Sequence, residues 1–328
     1  VKDRFVGCII GQAVGDALGF PVEGHPPAVT AGVVADGPLR LRRHPSGVFS
    51  VGQYTDDTQM MRAVLESLVE LQVIDPANIA ARFVTLWRDG TIVGRGRATT
   101  EAVHRLMRGV PWTESGTPAP RAGNGSAMRT APIGLFHHDH PRAAAESAAD
   151  VSRITHSDPR CLAGAAAVST AISWNLHHDK TDLPSFLNDV ADLTRRYDGE
   201  MAGLILDRLP NWLAGAETVA VDEIRRAGLA PDRQPDWSGI SPFVMPTVLA
   251  ALYAFLRTPK DWMASVRWVI SLGGDVDTTG AITGAISGAF NGIDAIPQDL
   301  AHQVNDRGRH GYAYLADLAR RLWELRAG

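Results

Sequence analysis

Cysteine is nearly missing: the 328 residues contain two, Cys8 and Cys161. Two thiols among aliphatic or small neighbours exclude a disulfide framework and suit a reducing compartment, so a cytoplasmic location is expected. Aromatic residues are few, at 7%, and neither sign of charge dominates, with 32 basic and 36 acidic side chains giving a net charge of −4. No global basic field therefore draws the chain to nucleic acid or to an anionic membrane. The opening residues Val1-Lys2-Asp3-Arg4-Phe5 carry charge where a secretory signal needs an apolar run, and no such segment is expected. Long hydrophobic runs are also lacking. The stretch from Thr278 to Ile293 is too short and too glycine-rich to span a bilayer. At 45% hydrophobic residues the composition is too apolar for disorder.

What is present is helical periodicity. From Asp57 to Leu71, Met60, Met61, Val64, Leu65, Leu68 and Leu71 recur at spacings of three and four, which predicts one buried helix face. Asp158-Pro159 predicts a capped start for a helix through Cys161 and Val168. Further helices are expected from Ser241 or Thr247, over Lys260–Ser271, and over His302–Leu325. Val33-Val34 and Val48–Tyr54 suggest short hairpin pieces, and Gly24–Tyr54 as a whole reads as a long irregular connection. Its run Arg40, Arg42, Arg43, His44 is read as a solvated face. No repeat or linker divides the chain, so the expectation is an all-α fold, one compact helical domain over residues 1–328. Two helices carry glycine every fourth residue: Gly7, Gly11, Gly15, Gly19 and Gly280, Gly284, Gly288, Gly292. Each helical glycine costs roughly 1 kcal/mol relative to alanine. Close backbone approach to a neighbour would offset that cost, and a scaffold under a site would explain it further.

Two acidic clusters stand at predicted helix starts, Thr55-Asp56-Asp57-Thr58 and Gly273-Gly274-Asp275-Val276-Asp277-Thr278-Thr279. Either alone is an ordinary helix opening. Brought together, four carboxylates would repel unless cations neutralise them, and their oxygens suit Mg²⁺ or Mn²⁺ rather than zinc. No HExxH or CxxC motif argues otherwise. Two such clusters suggest a two-metal site. Gly123-Asn124-Gly125-Ser126-Ala127-Met128-Arg129 has the composition of a phosphate cradle, and His156 lies before a helix start where it could meet a phosphate or a hydroxyl. His137-His138-Asp139-His140 precedes Pro141 and reads as a surface turn. Asp16 and Glu23 are anonymous by chemistry alone.

Taken in order, Gly15-Asp16-Ala17-Leu18-Gly19 with Pro21-Val22-Glu23, Tyr54-Thr55-Asp56-Asp57-Thr58-Gln59, Gly123–Arg129 with Ala131-Pro132, Thr155-His156 and Gly273–Thr278 resemble the ADP-ribosylglycohydrolase family. The resemblance spans nearly the whole chain. It implies a compact all-α fold with two Mg²⁺ or Mn²⁺ ions held by Thr55, Asp56, Asp57, Asp275, Asp277 and Thr278. Gly123, Asn124, Gly125, Ser126 and Met128 would hold the diphosphate and nearby ribose of ADP-ribose, with His156 facing the same ligand. Glu23, Asp56 and Asp57 are the catalytic candidates. The implied reaction hydrolyses the glycosidic bond between ADP-ribose and an acceptor: an arginine, a serine, a nucleobase or a small molecule. The implied partners are an ADP-ribosylated substrate and ADP-ribose, with no membrane. One departure stands out: Ala122 occupies the place where some animal members have an aromatic residue against the ligand. Two alternatives remain at this point, a class I terpene synthase-like Mg²⁺-diphosphate enzyme and a non-catalytic ADP-ribose-binding protein. The first lacks the further acid of its aspartate-rich motif after Asp56-Asp57.

Overall fold

The computed structural model describes residues 1–35, 37–230, 233 and 235–327. α1 (Lys2–Gly19) is followed by α2 (Pro27–Val34), α3 (Asp56–Leu71), α4 (Pro76–Arg88) and α5 (Arg97–Met107). A 3₁₀ turn at Asn124–Arg129 leads into α6 (Ala131–Phe136), α7 (Pro141–Ser152), α8 (Pro159–Asn175) and α9 (Leu183–Arg195). The chain continues through α10 (Gly199–Gly203), α11 (Leu209–Ala214), α12 (Glu217–Arg226), α13 (Val244–Arg257) and α14 (Trp262–Ser271). It closes with α15 (Val276–Asn291), α16 (Gln298–Ala301) and α17 (Tyr312–Ala327). Among the described residues there is no β-strand, only isolated bridges such as Gly123 with Phe243 and Ile240 with Gly274. The fold is all-α.

The centre is an antiparallel pair, α1 on α15, and the glycine stripes are its seam. A Cβ on Gly7 would lie 2.6 Å from the Gly288 carbonyl oxygen, one on Gly11 2.3 Å from that of Gly284, and one on Gly15 2.1 Å from that of Gly280. Real Cβ atoms do not come this close to backbone, so each helix excludes any side chain along the line of contact. Both helices are buried nearly throughout, and one continuous apolar core surrounds them. Residues 2–22 are long and apolar enough to cross a membrane by composition, yet this segment is enclosed within the protein. Its single interior acid, Asp16, is fully buried and hydrogen-bonded to α3.

Local signals explain most boundaries. Thr55 caps α3 by accepting from the Asp57 N–H at 3.3 Å, Asp158 caps α8 by accepting from Arg160 N, and Asp261 caps α14 by accepting from Ala264 N. Three expectations fail. Val33 and Val34 end α2 instead of forming a hairpin, because Pro27 supplies the preset φ of a first helical position. Val48–Tyr54 is irregular: its one β-bridge, Gln53 with Asn305, is accompanied by hydrogen bonds to the 305–310 turn and forms no hairpin. Residues 302–311 are not helical: Arg307, Gly308 and His310 have φ of 49°, 76° and 47°, and the Asp306 and Arg309 backbones pair across the turn. α13 starts at Val244. Thr247 lies in its first turn, where its hydroxyl bonds back to the Phe243 carbonyl at 3.0 Å.

Candidate functional site

The first turn of α3 is held from outside. The Asp16 carboxylate on α1 accepts hydrogen bonds from Thr55 N at 3.0 Å, Thr55 Oγ1 at 3.0 Å, Thr58 N at 3.1 Å and Thr58 Oγ1 at 2.6 Å. A buried acid thus gathers the free N–H groups that every helix start leaves. Gln12, one turn earlier, donates to the carbonyls of Asp57 at 3.2 Å and Met128 at 2.7 Å, tying α3 to the Gly123–Arg129 loop. At α15 the turn Gly273-Gly274 has φ of 70° and 82°, and a Cβ on Gly273 would lie 2.6 Å from Pro27 N. Only glycine permits that turn, and it aims Asp275 at the cavity. Asp275 does not cap α15 with its side chain. Instead it accepts from Asn124 Nδ2 and from Thr278 Oγ1 at 3.1 Å.

The two acidic clusters meet. Carboxylate oxygens of Asp16, Asp57 and Asp277 lie within 4.8 Å of one another, and so do those of Glu23, Asp275 and Asp277. The groups share Asp277, so they outline two adjacent positions for hard cations. Asp57 Oδ1 is buried without a partner among the described residues, which fits an oxygen reserved for a cation. Asp16 is within reach of the same position, but its oxygens are already taken by four donors. It is better placed to hold α3 than to bind a metal. Asp56 belongs to neither group, although it faces the same cavity.

Electrostatics agree with that geometry. Burial first, and then repulsion by neighbouring carboxylates, pushes Asp56, Asp57 and Asp277 well above the ordinary carboxylate range. Burial raises Asp275 too, against hydrogen bonds led by that of Asn124. Burial carries Asp16 up to about 7, while the bonds from Thr58 and Thr55 hold it back. Glu23 stands exposed at the rim. The surrounding protein, then Asp275 and Asp16, lifts its carboxyl to about 7, and contact with solvent screens part of that shift. Six acids cannot all ionise side by side in the bare protein. Divalent cations would restore their charge.

Above the acids is a cavity of about 310 Å³. Glu23, Asp56, Asp57, Asp275, Asp277 and Thr278 form one end of its lining, and Gly123, Asn124, Gly125, Met128 and His156 also contribute. Two of the residues expected at the site do not line it. Thr55 is fully buried beneath the carboxylates, and Ser126 turns its hydroxyl to the Cys161 carbonyl at 3.1 Å. His156 supports the loop: a Cβ on Gly125 would lie 2.8 Å from His156 Cε1. Burial, then nearby Arg129, drops the His156 pKa to about 3, so the imidazole is neutral. Its Nδ1 is 2.8 Å from Thr155 Oγ1. Arg129, fully buried, donates to the Gly125 carbonyl at 2.8 Å and braces the loop from below.

The sequence reading missed several parts of this cavity. Arg95, Arg97 and Trp237 lie on its lining. Arg95-Gly96-Arg97 within a glycine-rich connection was the available signal for the cations; nothing local marked Trp237. Ala122, where an aromatic was noted as absent, is buried and bonds its carbonyl to Val244 N at 2.9 Å. The His137–His140 segment is a turn away from the cavity, with His138 Nδ1 3.0 Å from His177 Nε2.

Comparison with known proteins gives the same answer along the full length. A protein of Archaeoglobus fulgidus without an assigned function is 33% identical, with 99% of this chain and 97% of that protein covered. The ADP-ribosyl-[dinitrogen reductase] glycohydrolase of Rhodospirillum rubrum is 29% identical over 90% of this chain and 88% of its own. The ADP-ribosylhydrolase ARH3 of Danio rerio is 28% identical over 98% and 90%. A solved structure described as an ADP-ribosylglycohydrolase-related protein complex superposes with a TM-score of 0.72 at 28% identity, covering 99% of this chain and 98% of that one. The ADP-ribosylglycohydrolase family model matches residues 1–328. With an all-α scaffold that delivers both acidic clusters to one cavity, the chain belongs to the ADP-ribosylglycohydrolase family of hydrolases.

Proposed function

We propose that this protein hydrolyses the glycosidic bond joining ADP-ribose to an acceptor, using two Mg²⁺ or Mn²⁺ ions, and so reverses ADP-ribosylation. One observation carries the reading: of the two carboxylate groups that share Asp277, every member but Asp16 lines the cavity that also presents the Gly123–Gly125 loop. Asp57, Asp275, Asp277 and Thr278 would hold the cations, with Asp16 keeping Thr55 and Thr58 in register. Bound there, the cations would orient the ribose hydroxyls and lower the pKa of a water beside the reacting sugar.

The rest falls to the chain's own groups. The loop backbone and neutral His156 suit the diphosphate and ribose, with Arg95 and Arg97 as cations at the rim. Trp237 offers an aromatic wall that Ala122 does not. Cleavage at the anomeric carbon passes through an oxocarbenium-like state and needs a group to move a proton. Glu23 is at the rim with its pKa raised toward the working range, which suits a general acid or base. Asp56, outside both carboxylate groups, is the alternative. Relatives named for ADP-ribosylarginine hydrolysis and for dinitrogen reductase support a protein acceptor. The decisive assay incubates ADP-ribosylated arginine, serine and nucleic-acid substrates with Mg²⁺ and reads free ADP-ribose. Release should stop with chelator and fall by about 10²-fold or more in Asp277→Ala. Undiminished release by Asp277→Ala at limiting metal would overturn the assignment.

A further inference from the structure

We propose that a second cavity, further along α3 and separate from the carboxylates, is a binding site for a small phosphate-class anion. It measures about 380 Å³ and lies between α3, α4 and the 306–310 turn. Four arginines line it, Arg62, Arg82, Arg307 and Arg309, against three acids, Glu66, Asp89 and Asp306.

Arg62 carries the argument. It is 6% exposed, yet among the described residues no group accepts a hydrogen bond from it, and its Nε is wholly buried without a partner. Its nearest carboxylates, Glu66 Oε1 and Asp306 Oδ2, are 3.8 Å and 3.9 Å away, beyond hydrogen-bond reach. Buried guanidinium groups are normally bonded, because an unbonded one forfeits its hydration without return. The neighbouring acids are committed elsewhere. Glu66 accepts from Arg82 at 3.3 Å and Tyr314 Oη at 2.8 Å, and Asp306 accepts from Gln53 at 3.2 Å and Gln59 at 2.9 Å. Arg309 makes no side-chain hydrogen bond among the described residues. Asp89, the third acid of the lining, is exposed and its carboxylate accepts no hydrogen bond among the described residues, so the unused capacity is one carboxylate against the free guanidinium donors of Arg62 and Arg309, and guanidinium is the group whose geometry binds phosphate oxygens. The volume leaves room for the anion free or as the phosphate end of a small monoester.

Titration calorimetry in chelator with inorganic phosphate, and separately with glycerol 3-phosphate, tests this. The wild-type protein should bind at least one of them. Arg62→Met and the exposed-site variant Arg309→Ser should each weaken that binding by about tenfold or more, while Arg142→Ser, at an exposed position of α7 outside both cavities, should not. Stronger binding of the monoester would assign an esterified ligand, and equal binding a free ion. Arg62→Met removes a buried unbonded charge, so its melting temperature should hold or rise; Arg309→Ser keeps the test open if it does not. Absence of binding by the wild-type protein up to about 10 mM, or binding unchanged in both cavity variants, would overturn the proposal.

Discussion

Replacing Gly284 with alanine tests whether backbone contact between α1 and α15 holds the molecule together. A methyl carbon there would sit 2.1 Å from the Gly11 carbonyl oxygen and 2.8 Å from its carbon, where 3.4–4 Å is ordinary contact. Both atoms are backbone, so no rotamer change relieves the clash and the helices must part by about 1 Å. A gap of that size forfeits up to about half of the dispersion attraction between facing atoms. Overpacking of this kind costs roughly 1–3 kcal/mol, and a rigid backbone partner places Gly284 at the upper end. Alanine returns about 1 kcal/mol of helix propensity, so the net loss should be about 2 kcal/mol. Gly32 is the internal control. It is also helical, but a Cβ there meets nothing within 4 Å among the described residues, so Gly32→Ala should be neutral or gain up to about 1 kcal/mol. Urea unfolding followed by tryptophan fluorescence should separate the two variants by about 3 kcal/mol. Equal midpoints for Gly284→Ala and Gly32→Ala would refute the packing argument.

Three other outcomes are expected. His156 has a folded pKa of about 3 against about 6.5 unfolded, so the unfolded chain takes up the proton first and the stability contributed by neutral His156 falls as pH drops from about 6.5 toward 3. Between pH 7.5 and 5 the wild-type protein should lose about 2 kcal/mol more than His156→Gln, read from paired denaturation curves; parallel curves would mean that the imidazole is not buried. Asp16→Asn turns a four-fold acceptor into a group carrying its own donors, and should destabilise by about 2 kcal/mol or more; a loss below about 0.5 kcal/mol would remove Asp16 as the anchor of α3. Mn²⁺ at about 100 times its dissociation constant should stabilise the protein by about 2.7 kcal/mol, seen as a higher melting temperature that chelator reverses and Asp277→Asn diminishes. A melting temperature indifferent to Mn²⁺ would count against the paired-cation site.

The sequence exposes most where a signal is local. Four-residue glycine spacing marked both α1 and α15 for close approach to a neighbour, since close approach offsets its cost; that each is the other's neighbour is visible only in the structure. Capping residues marked the starts of α3 and α8, and amphipathic spacing placed α14 to within two residues. The misread segments are those where a local pattern was overruled nearby. The amphipathic pattern over His302–Leu325 suggested one helix, but at its start Asn305-Asp306-Arg307-Gly308 is turn chemistry, and the left-handed backbone at Arg307 and Gly308 follows it. Val33 and Val34 favour a strand by type, yet they end a helix that Pro27 begins and that Thr30 fastens to the Ser271 carbonyl at 3.2 Å.

The site divides the same way, and Asp16 shows why. The two acidic clusters were visible because each puts paired carboxylates at a helix start. Asp16 stands alone in an apolar, glycine-striped helix, where composition marks it only as an acid in the wrong company. An unpaired buried carboxylate is costly, so its presence implies donors arriving from elsewhere in the chain. Those donors are Thr55 and Thr58, about 40 positions away. Their offer is invisible until α1 lies beside α3, and α1 is positioned by its glycine seam with α15. The seam therefore does more than fill space. It brings Asp16 on one helix and Asp277 on the other to within 4.8 Å of Asp57, joining three distant segments of the chain into one charged centre. A substitution that parts the seam near Gly280 should thus weaken Mn²⁺ binding before it unfolds the protein. Gly280→Ala tests this, because Gly15 O would be 2.6 Å from the added carbon, beside Asp16 and one turn from Asp277. Loss of Mn²⁺ affinity at a temperature where the variant remains folded is the expected result, and full affinity would show that the carboxylates are held in place without the seam.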